Sequence, residues 1–183
     1  MLRIIAGKFR SRLINTPTTT STRPTKDRVR EAVFSALGNA IEGSHVLDLF
    51  AGSGAFAFES LSRGATHVTC VDHHSEVFKV LKENKSLLKL TDAECNIVFG
   101  DYKKHLKNFG LSNTKFDVIF IDPPYGEQLE EMAFKLILEL GLLTEDGIIV
   151  VESDHLPDLH DGSFIKSKSY DYGATKVTIY WRS

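Results

Sequence analysis

Five short apolar runs, Val46 to Phe50, Val68 to Val71, Asn96 to Phe99, Phe116 to Ile121 and Ile148 to Val151, recur through the chain with amphipathic stretches between most of them. They constrain the fold more than any other feature. A run that stays apolar without polar alternation fits a strand covered on both faces. Strands of that kind separated by helical segments build a mostly parallel sheet with helices on each side. The end of the chain differs. Phe164 to Tyr170 and Thr175 to Trp181 flank a turn at Gly173, which predicts an antiparallel hairpin added at the sheet edge. With 183 residues, 42% hydrophobic and 25% charged, the chain suits one ordinary domain with a sizeable core. A repeat array, a disordered tail protein and a two-domain machine do not fit these values.

The basic residues are unevenly placed. The formal net charge is -2, yet residues 1 to 30 hold eight bases against one acid, a local +7, and the other 153 residues carry -9. Leu2 to Ala6 and Phe9 to Ile14 read as two extended runs around Gly7-Lys8, a β-hairpin that would set Arg10 and Arg12 on one face. Thr16 to Thr22 is polar and without a period, so a flexible loop is expected. Thr25 stands as the cap of a helix beginning at Lys26, in which Val29, Val33, Ala36 and Leu37 recur at helical spacing and Lys26 and Arg30 share another side. Cys70 and Cys95 are the two cysteines, neither in a C-x-x-C pair, so a reducing interior is expected and Cys70 reads as a buried strand residue. No segment approaches the ~20 apolar residues that span a bilayer. A cytoplasmic location and no membrane partner are the expectations.

The stretch Val46 to Ala65 reads as strand, small-residue turn, helix. Gly52, Ser53 and Gly54 would let the backbone approach a ligand and aim helix N–H groups at it. Gly52-x-Gly54-x-x-Ala57 satisfies a loose dinucleotide fingerprint, with Asp72 twenty residues beyond Gly52. A tight structural turn would show the same glycines. Asp48, Asp72 and Asp101 each fall within or just after one of three successive strands, where an open parallel sheet gathers ligand groups. One division of labour sets Asp48 near a cofactor amine, Asp72 on ribose hydroxyls and Asp101 at an adenine amino group or its flanking backbone. The bland alternative for each is a helix cap or turn former.

Asp122-Pro123-Pro124-Tyr125 follows the fourth parallel strand. Proline fixes the backbone and donates no hydrogen bond, so neighbouring carbonyls are free to face a substrate as acceptors. An exocyclic base amine is a poor nucleophile because its lone pair is delocalised into the ring. If the Asp122 carboxylate and the Pro123 carbonyl accept its hydrogens, that lone pair turns toward an electrophilic methyl group, and Tyr125 offers a ring for stacking the base. Read blandly, Pro-Pro ends the strand and Tyr125 packs as a hinge or lid.

Taken together, RIIAGKFRSRL at 3–13, RPTKDRVREAVFSAL at 23–37, LDLFAGSGAFAFESLSRGA at 47–65, Asp122 to Tyr125 and YGATKVTIY at 172–180 resemble the bacterial 16S ribosomal RNA guanine-N2 methyltransferase family, RsmD, almost end to end. The resemblance implies a Rossmann-like class I α/β methyltransferase, with a mostly parallel seven-stranded sheet, a C-terminal antiparallel hairpin, helices on both faces and an N-terminal hairpin-and-helix extension. It implies methyl transfer from S-adenosyl-L-methionine to the N2 of a guanine in 16S rRNA, within a small ribosomal subunit or assembly intermediate, by a monomer. The cofactor positions it implies are Asp48, Phe50, Ala51, Gly52, Ser53 and Gly54, then Asp72 and His73, then Gly100, Asp101 and Tyr102. The target base falls to Asp122, Pro123, Pro124 and Tyr125. Ala57 departs from the glycine of related chains, which write GALG there; tolerance of the added methyl is expected.

The basic section then gains a use. Residues 1–40 read as a docking extension, with Arg3, Lys8, Arg10, Arg12, Arg23, Lys26 and Arg30 meeting RNA phosphates beside the catalytic cleft, and 41–183 as the methyltransferase domain. A solvated basic face is the alternative. The seven histidines form no H-x-x-x-H or His/Cys set with metal spacing, so no metal is expected. Phe34, Phe50 and Phe99 read as core, although the resemblance gives Phe50 to the cofactor. An N6-adenine methyltransferase on RNA or DNA is the nearest rival; an NAD-dependent oxidoreductase and a catalytically silent RNA-binding module are rivals of other classes. The oxidoreductase leaves Asp122 to Tyr125 unexplained.

Overall fold

Side chains alternate across a strand, so each apolar run sends one set of residues to each face of a sheet. The computed structural model describes residues 1–18, 24–124, 128–157, 159 and 162–183, with side chains excepted at 24–26. In chain order the elements are β1 (Leu2–Arg3), β2 (Leu13–Ile14), α1 (Pro24–Leu37), a 3-10 turn (Gly38–Ile41), β3 (His45–Asp48), α2 (Ala55–Ser62), β4 (His67–Asp72), α3 (Ser75–Leu87), β5 (Cys95–Phe99), α4 (Tyr102–Leu111), β6 (Phe116–Ile121), α5 (Leu129–Glu139), β7 (Leu143–Ser153), β8 (Lys166–Asp171) and β9 (Lys176–Trp181). Among the described residues the main sheet has seven strands in the order β5-β4-β3-β6-β7-β9-β8. The first four pairings are parallel, and β9 runs antiparallel to both β7 and β8.

The alternation is visible in the two cores. Val46, Val68, Cys70, Val118, Phe120, Ile148 and Val150 pack under α1, α2 and α3, through Val33 and Phe34, Phe58 and Leu61, and Leu81. Leu47, Leu49, Val71, Ile119, Ile121, Ile149 and Val151 face the other way, against Leu106 of α4 and Phe134 and Ile137 of α5. Ile4, Ile14 and Ile41 belong to the first core as well, so the N-terminal forty residues share the packing of the sheet.

Four local expectations change. The N-terminal hairpin keeps only two-residue strands, Leu2 opposite Ile14 and Arg3 opposite Leu13. The N–H groups of Ile5 and Ala6, which a longer ladder would use, go instead to the Glu59 carboxylate of α2 at 2.8 and 3.0 Å. Arg10 therefore lies in a turn and Arg12 just beyond it, so they do not form a pair on one strand face. Helix α1 begins at Pro24, which suits the first helical position because that N–H would be unpaired anyway, and Thr25 lies inside the first turn rather than before it. Phe99 is 50% exposed, because β5 is the outermost strand, and its ring leans on Phe78 at 5.4 Å. It is not a core residue. The described part of the Thr-rich stretch is tied down, with Thr18 bonding Glu76 through its N–H and hydroxyl.

Candidate active site

The sheet order reverses between β3 and β6. The chain leaves β3 toward β4 on one side and β6 toward β7 on the other, which opens a crevice at the carboxyl ends of this adjacent pair. Three backbone bonds carry the ladder past the strand ends: Leu49 N to Phe120 O (3.1 Å), Ala51 N to Val71 O (3.0 Å) and Gly100 N to Asp72 O (2.9 Å). The loops bearing Asp48 to Gly54, Asp72 to His73, Gly100 to Tyr102 and Asp122 to Pro124 thus emerge in a row along one edge.

The glycine turn is built for close approach. Gly52 and Gly54 have φ of +52° and +78°, values that L side chains rarely adopt. A Cβ at Gly54 would lie 2.3 Å from the Phe58 ring, whereas one at Gly52 would meet no atom nearer than 4.0 Å. The first glycine keeps open space and the second seats α2 on the core. Asp48 is 1% exposed and accepts from Ala57 N at 3.2 Å, pinning the first turn of α2 to β3. Burial pushes its carboxyl up to about 7, and the neighbouring Asp72 charge adds to the rise. Asp72 accepts from Gly52 N at 3.1 Å through one oxygen and from His74 N at 2.9 Å through the other, so it holds the glycine turn and the start of α3 together. Asp101 caps α4, accepting from Lys104 N at 3.1 Å through one oxygen. For these three aspartates the structural role and exposure to a ligand coexist only at Asp72 and Asp101.

A cavity of about 300 Å³ opens at this edge, lined by Leu49, Phe50, Asp72, His73, Gly100, Asp101, Tyr102, Lys103 and Leu129. Six of these were expected from the sequence: Phe50, Asp72, His73, Gly100, Asp101 and Tyr102. Asp48, Ala51, Gly52, Ser53 and Gly54 shape the turn beside the cavity and do not line it. Leu49, Lys103 and Leu129 were missed. Leu49 sits between two expected residues and follows from strand alternation, but nothing local marks Leu129, which comes from the start of α5. Phe50 and Tyr102 pack ring to ring at 5.0 Å. The Tyr102 hydroxyl is buried without a hydrogen-bond partner among the described residues, an orphaned polar group at a cavity wall. Apolar walls, an open glycine, a strand-end carboxylate and an orphaned hydroxyl fit a nucleoside with a polar tail.

Beside this cavity β6 delivers Asp122, half-buried, Pro123, buried, and Pro124, exposed. Tyr125 lies outside the described residues. Asn84, fully buried in α3 and also missed, donates to Ser53 O at 3.1 Å and to Asn15 O at 2.9 Å, and accepts from Asn15 N at 2.7 Å. It links the glycine turn to the N-terminal segment.

The expected phosphate contacts separate into groups. Arg3, Lys8, Arg10 and Arg12 are exposed. Arg30 is 2% exposed, donates to Arg3 O at 2.6 Å and lies 3.7 Å from Glu59 and 3.3 Å from Asp27. It is an internal cation, turned away from any phosphate. Arg23 lies outside the described residues, as does the side chain of Lys26. The tip of the hairpin is also displaced from the expected place. Lys8 pairs with Glu94 at 3.3 Å, just before β5 begins, while the cavity follows its end; five residues at about 3.3 Å each put roughly 17 Å between them.

Helices on both faces of this strand order, an antiparallel final hairpin and ligand loops along the carboxyl edge define the class I methyltransferase fold. Known proteins agree in fold and sequence. The solved structure of Escherichia coli yhhF superposes with a TM-score of 0.88 at 32% identity, over 100% of this chain and 98% of that one. The chain is 38% identical to Bacillus subtilis (strain 168) YlbH over 181 residues, 98% of each, and 37% identical over 153 residues to the ribosomal RNA small subunit methyltransferase D of Haemophilus influenzae (strain ATCC 51907 / DSM 11121 / KW20 / Rd), covering 84% of this chain and 79% of the relative. A family model described as Conserved hypothetical protein 95 matches residues 2–181, and the chain belongs to that family, the RsmD family.

Proposed function

We propose that this chain methylates the exocyclic N2 of a guanine in 16S rRNA, using S-adenosyl-L-methionine, on a small ribosomal subunit or assembly intermediate. The observation that carries the reading is the juxtaposition on β3 and β6: the nucleoside-sized cavity and the acceptor turn Asp122 to Pro124 stand side by side on one sheet edge. When bound, S-adenosyl-L-methionine supplies an electrophilic sulfonium methyl. Phe50, Tyr102 and Leu129 would enclose its adenine, Asp72 its ribose, and the turn at Gly52 its methionine part, near the buried Asp48. The choice of guanine rests on the family.

The chain's own work at the base is to hold and discharge an amine. The Asp122 carboxylate and the Pro123 carbonyl accept its two hydrogens, so the nitrogen becomes pyramidal and its lone pair is withdrawn from conjugation with the ring and points along the line of attack. As the N–C bond forms and the methyl's bond to the departing thioether sulfur breaks, positive charge grows at nitrogen and the carboxylate would stabilise it. The proton would leave during or after transfer, to the Asp122 carboxylate or to water. The basic hairpin, through Arg3, Lys8, Arg10 and Arg12, orients the RNA from a distance without reading its sequence.

The antiparallel β9 argues against an NAD-dependent oxidoreductase, whose sheet continues in parallel. The test is incubation with labelled S-adenosyl-L-methionine and small subunits lacking the modification, followed by nucleoside analysis. N2-methylguanosine is the expected product; N6-methyladenosine would move the assignment to the adenine enzymes. Asp122→Ala should keep most cofactor affinity and lose transfer by about a hundredfold or more, as for removal of a group acting on developing charge. Transfer near the parental rate in that variant would remove Asp122 from the mechanism.

A further inference from the structure

The closing stretch of the family likeness lies on the outermost hairpin, where methyl transfer makes no use of it. On β8 and β9, Lys166 stands opposite Trp181, Lys168 opposite Ile179 and Tyr170 opposite Val177. Val177 and Ile179 belong to the α1 side of the sheet, with Tyr170, Tyr172 and Trp181 packed at its margin. On that face Lys166 Nζ lies 4.9 Å above the Trp181 ring and Lys168 Nζ 4.9 Å above Tyr170. Tyr170 and Tyr172 are stacked, with centroids 6.4 Å apart and planes within 15°. The lysines are exposed and the three rings half-buried. Burial raises the Tyr172 hydroxyl pKa, while the charges of Arg28, exposed on α1, and Lys168 act against that rise from close by.

This face continues into the active site. Tyr170 is level with Val177, and Val177 with Glu152 of β7. Ile121 pairs with Val151, so the next residues, Asp122 and Glu152, follow at the same height. Asp122 and Tyr170 are thus three strand spacings apart along one edge, roughly 14 Å at about 4.8 Å each.

We propose that this aromatic and basic face is the docking surface for the RNA flanking the target base, with bases stacked on Tyr170 and Tyr172 and phosphates held by Lys166, Lys168 and Arg28. The proposal rests on the rRNA reading above. Lysines on an edge strand also deter strand pairing, but that task does not require both to lie over ring faces on one side of the sheet. A solvent-exposed lysine over one of these rings gains less than a stacked base does, so the base takes the ring and the freed lysine reaches the adjoining phosphate. Cations beside ring faces, running up β8 to the carboxyl edge that holds the acceptor turn, match a single-stranded nucleic acid better than a protein surface.

The test measures binding of small subunits lacking the modification, and of their isolated rRNA, by Lys166→Ala/Lys168→Ala, Tyr170→Ala/Tyr172→Ala and Tyr170→Phe/Tyr172→Phe, with cofactor affinity read alongside. Both alanine pairs should bind either RNA about tenfold or more weakly, and the lysine pair should flatten the dependence of log affinity on log salt by about 2. The phenylalanine pair should bind as the parent does, and cofactor affinity should hold throughout. A lysine pair with parental affinity and slope would overturn the proposal, and because both lysines are exposed that result does not depend on how the tyrosine pair folds. A loss confined to whole subunits, with isolated rRNA bound normally, would also overturn it, by making the partner a ribosomal protein. A parent protein that transfers no methyl to rRNA and does not prefer it would instead sink the rRNA reading, and this surface with it.

Discussion

Asp48 sits at the meeting point of β3, the glycine turn and α2, and its burial sets a pH dependence. A carboxyl raised from 3.8 to about 7 binds its proton in the folded chain across that window while the unfolded chain has released it. Its contribution therefore favours the fold most below about pH 4 and declines as pH rises toward 7, where the charge is buried. A cationic amine placed near Asp48 would favour the ionised form. Cofactor affinity should then fall as pH drops through 7, with proton release on binding near neutrality. Calorimetric titration in buffers of different ionisation enthalpy checks this. Asp48→Asn, which keeps an acceptor for Ala57 N, should flatten the profile. A parental profile in that variant would separate Asp48 from the amine. The sequence placed Asp48 correctly at a strand end. Its burial was not legible, because it depends on α2 closing over it.

At the scale of elements, α2 joins the two halves of the molecule. Its first turn faces the crevice, and its later turns hold the N-terminal segment. Glu59, 0% exposed, accepts from Ile5 N, Ala6 N and Arg63 Nε and lies 3.7 Å from Arg30. Ser62 Oγ accepts from Phe9 N at 2.9 Å and Ser62 O from Lys8 N at 2.7 Å. Gly7 fits only without a side chain, since a Cβ there would lie 1.7 Å from Ser62 O at a φ of +81°. Glu59→Gln would turn a donor toward these donors and leave Arg30, which keeps its bond to Arg3 O, with the half-exposed Asp27 as its one carboxylate among the described residues. The expected loss is about 3 kcal/mol or more of unfolding free energy, read from the urea midpoint. An unchanged midpoint would show that the docking is carried by apolar contact alone. This network explains what the charge pattern could not say. Lys26 and Arg30, four apart in a basic stretch, read alike, and only folding reveals that one of them meets a carboxylate 29 residues further on. The parallel strands were legible because an unbroken apolar run has few other homes. Phe99 misled because the same run, placed at a sheet edge, leaves one side open.

For the whole molecule, the consequence is a separation of binding from chemistry. The cavity and acceptor turn lie on the carboxyl edge, while Lys8 is paired with Glu94 toward the amino edge, roughly 17 Å away along β5, and the exposed Arg10 and Arg12 follow Lys8 in and just beyond the hairpin turn. A phosphate held there touches neither reacting atoms nor cofactor. Its binding energy should therefore be present equally in the ground and transition states, and its removal should raise KM for the RNA substrate with kcat unchanged. Arg10→Ala combined with Arg12→Ala is the sensitive variant, because both side chains are exposed and contribute no buried contact. At physiological salt it should weaken engagement of small subunits and reduce the salt slope by about 2, while S-adenosyl-L-methionine affinity stays parental. A fall in kcat at saturating RNA would mean that the hairpin communicates with the cleft, through Asn84 and the glycine turn it holds. Parental affinity and slope would reduce the +7 segment to a solvated face, and RNA placement would then fall to the carboxyl edge and the outer hairpin.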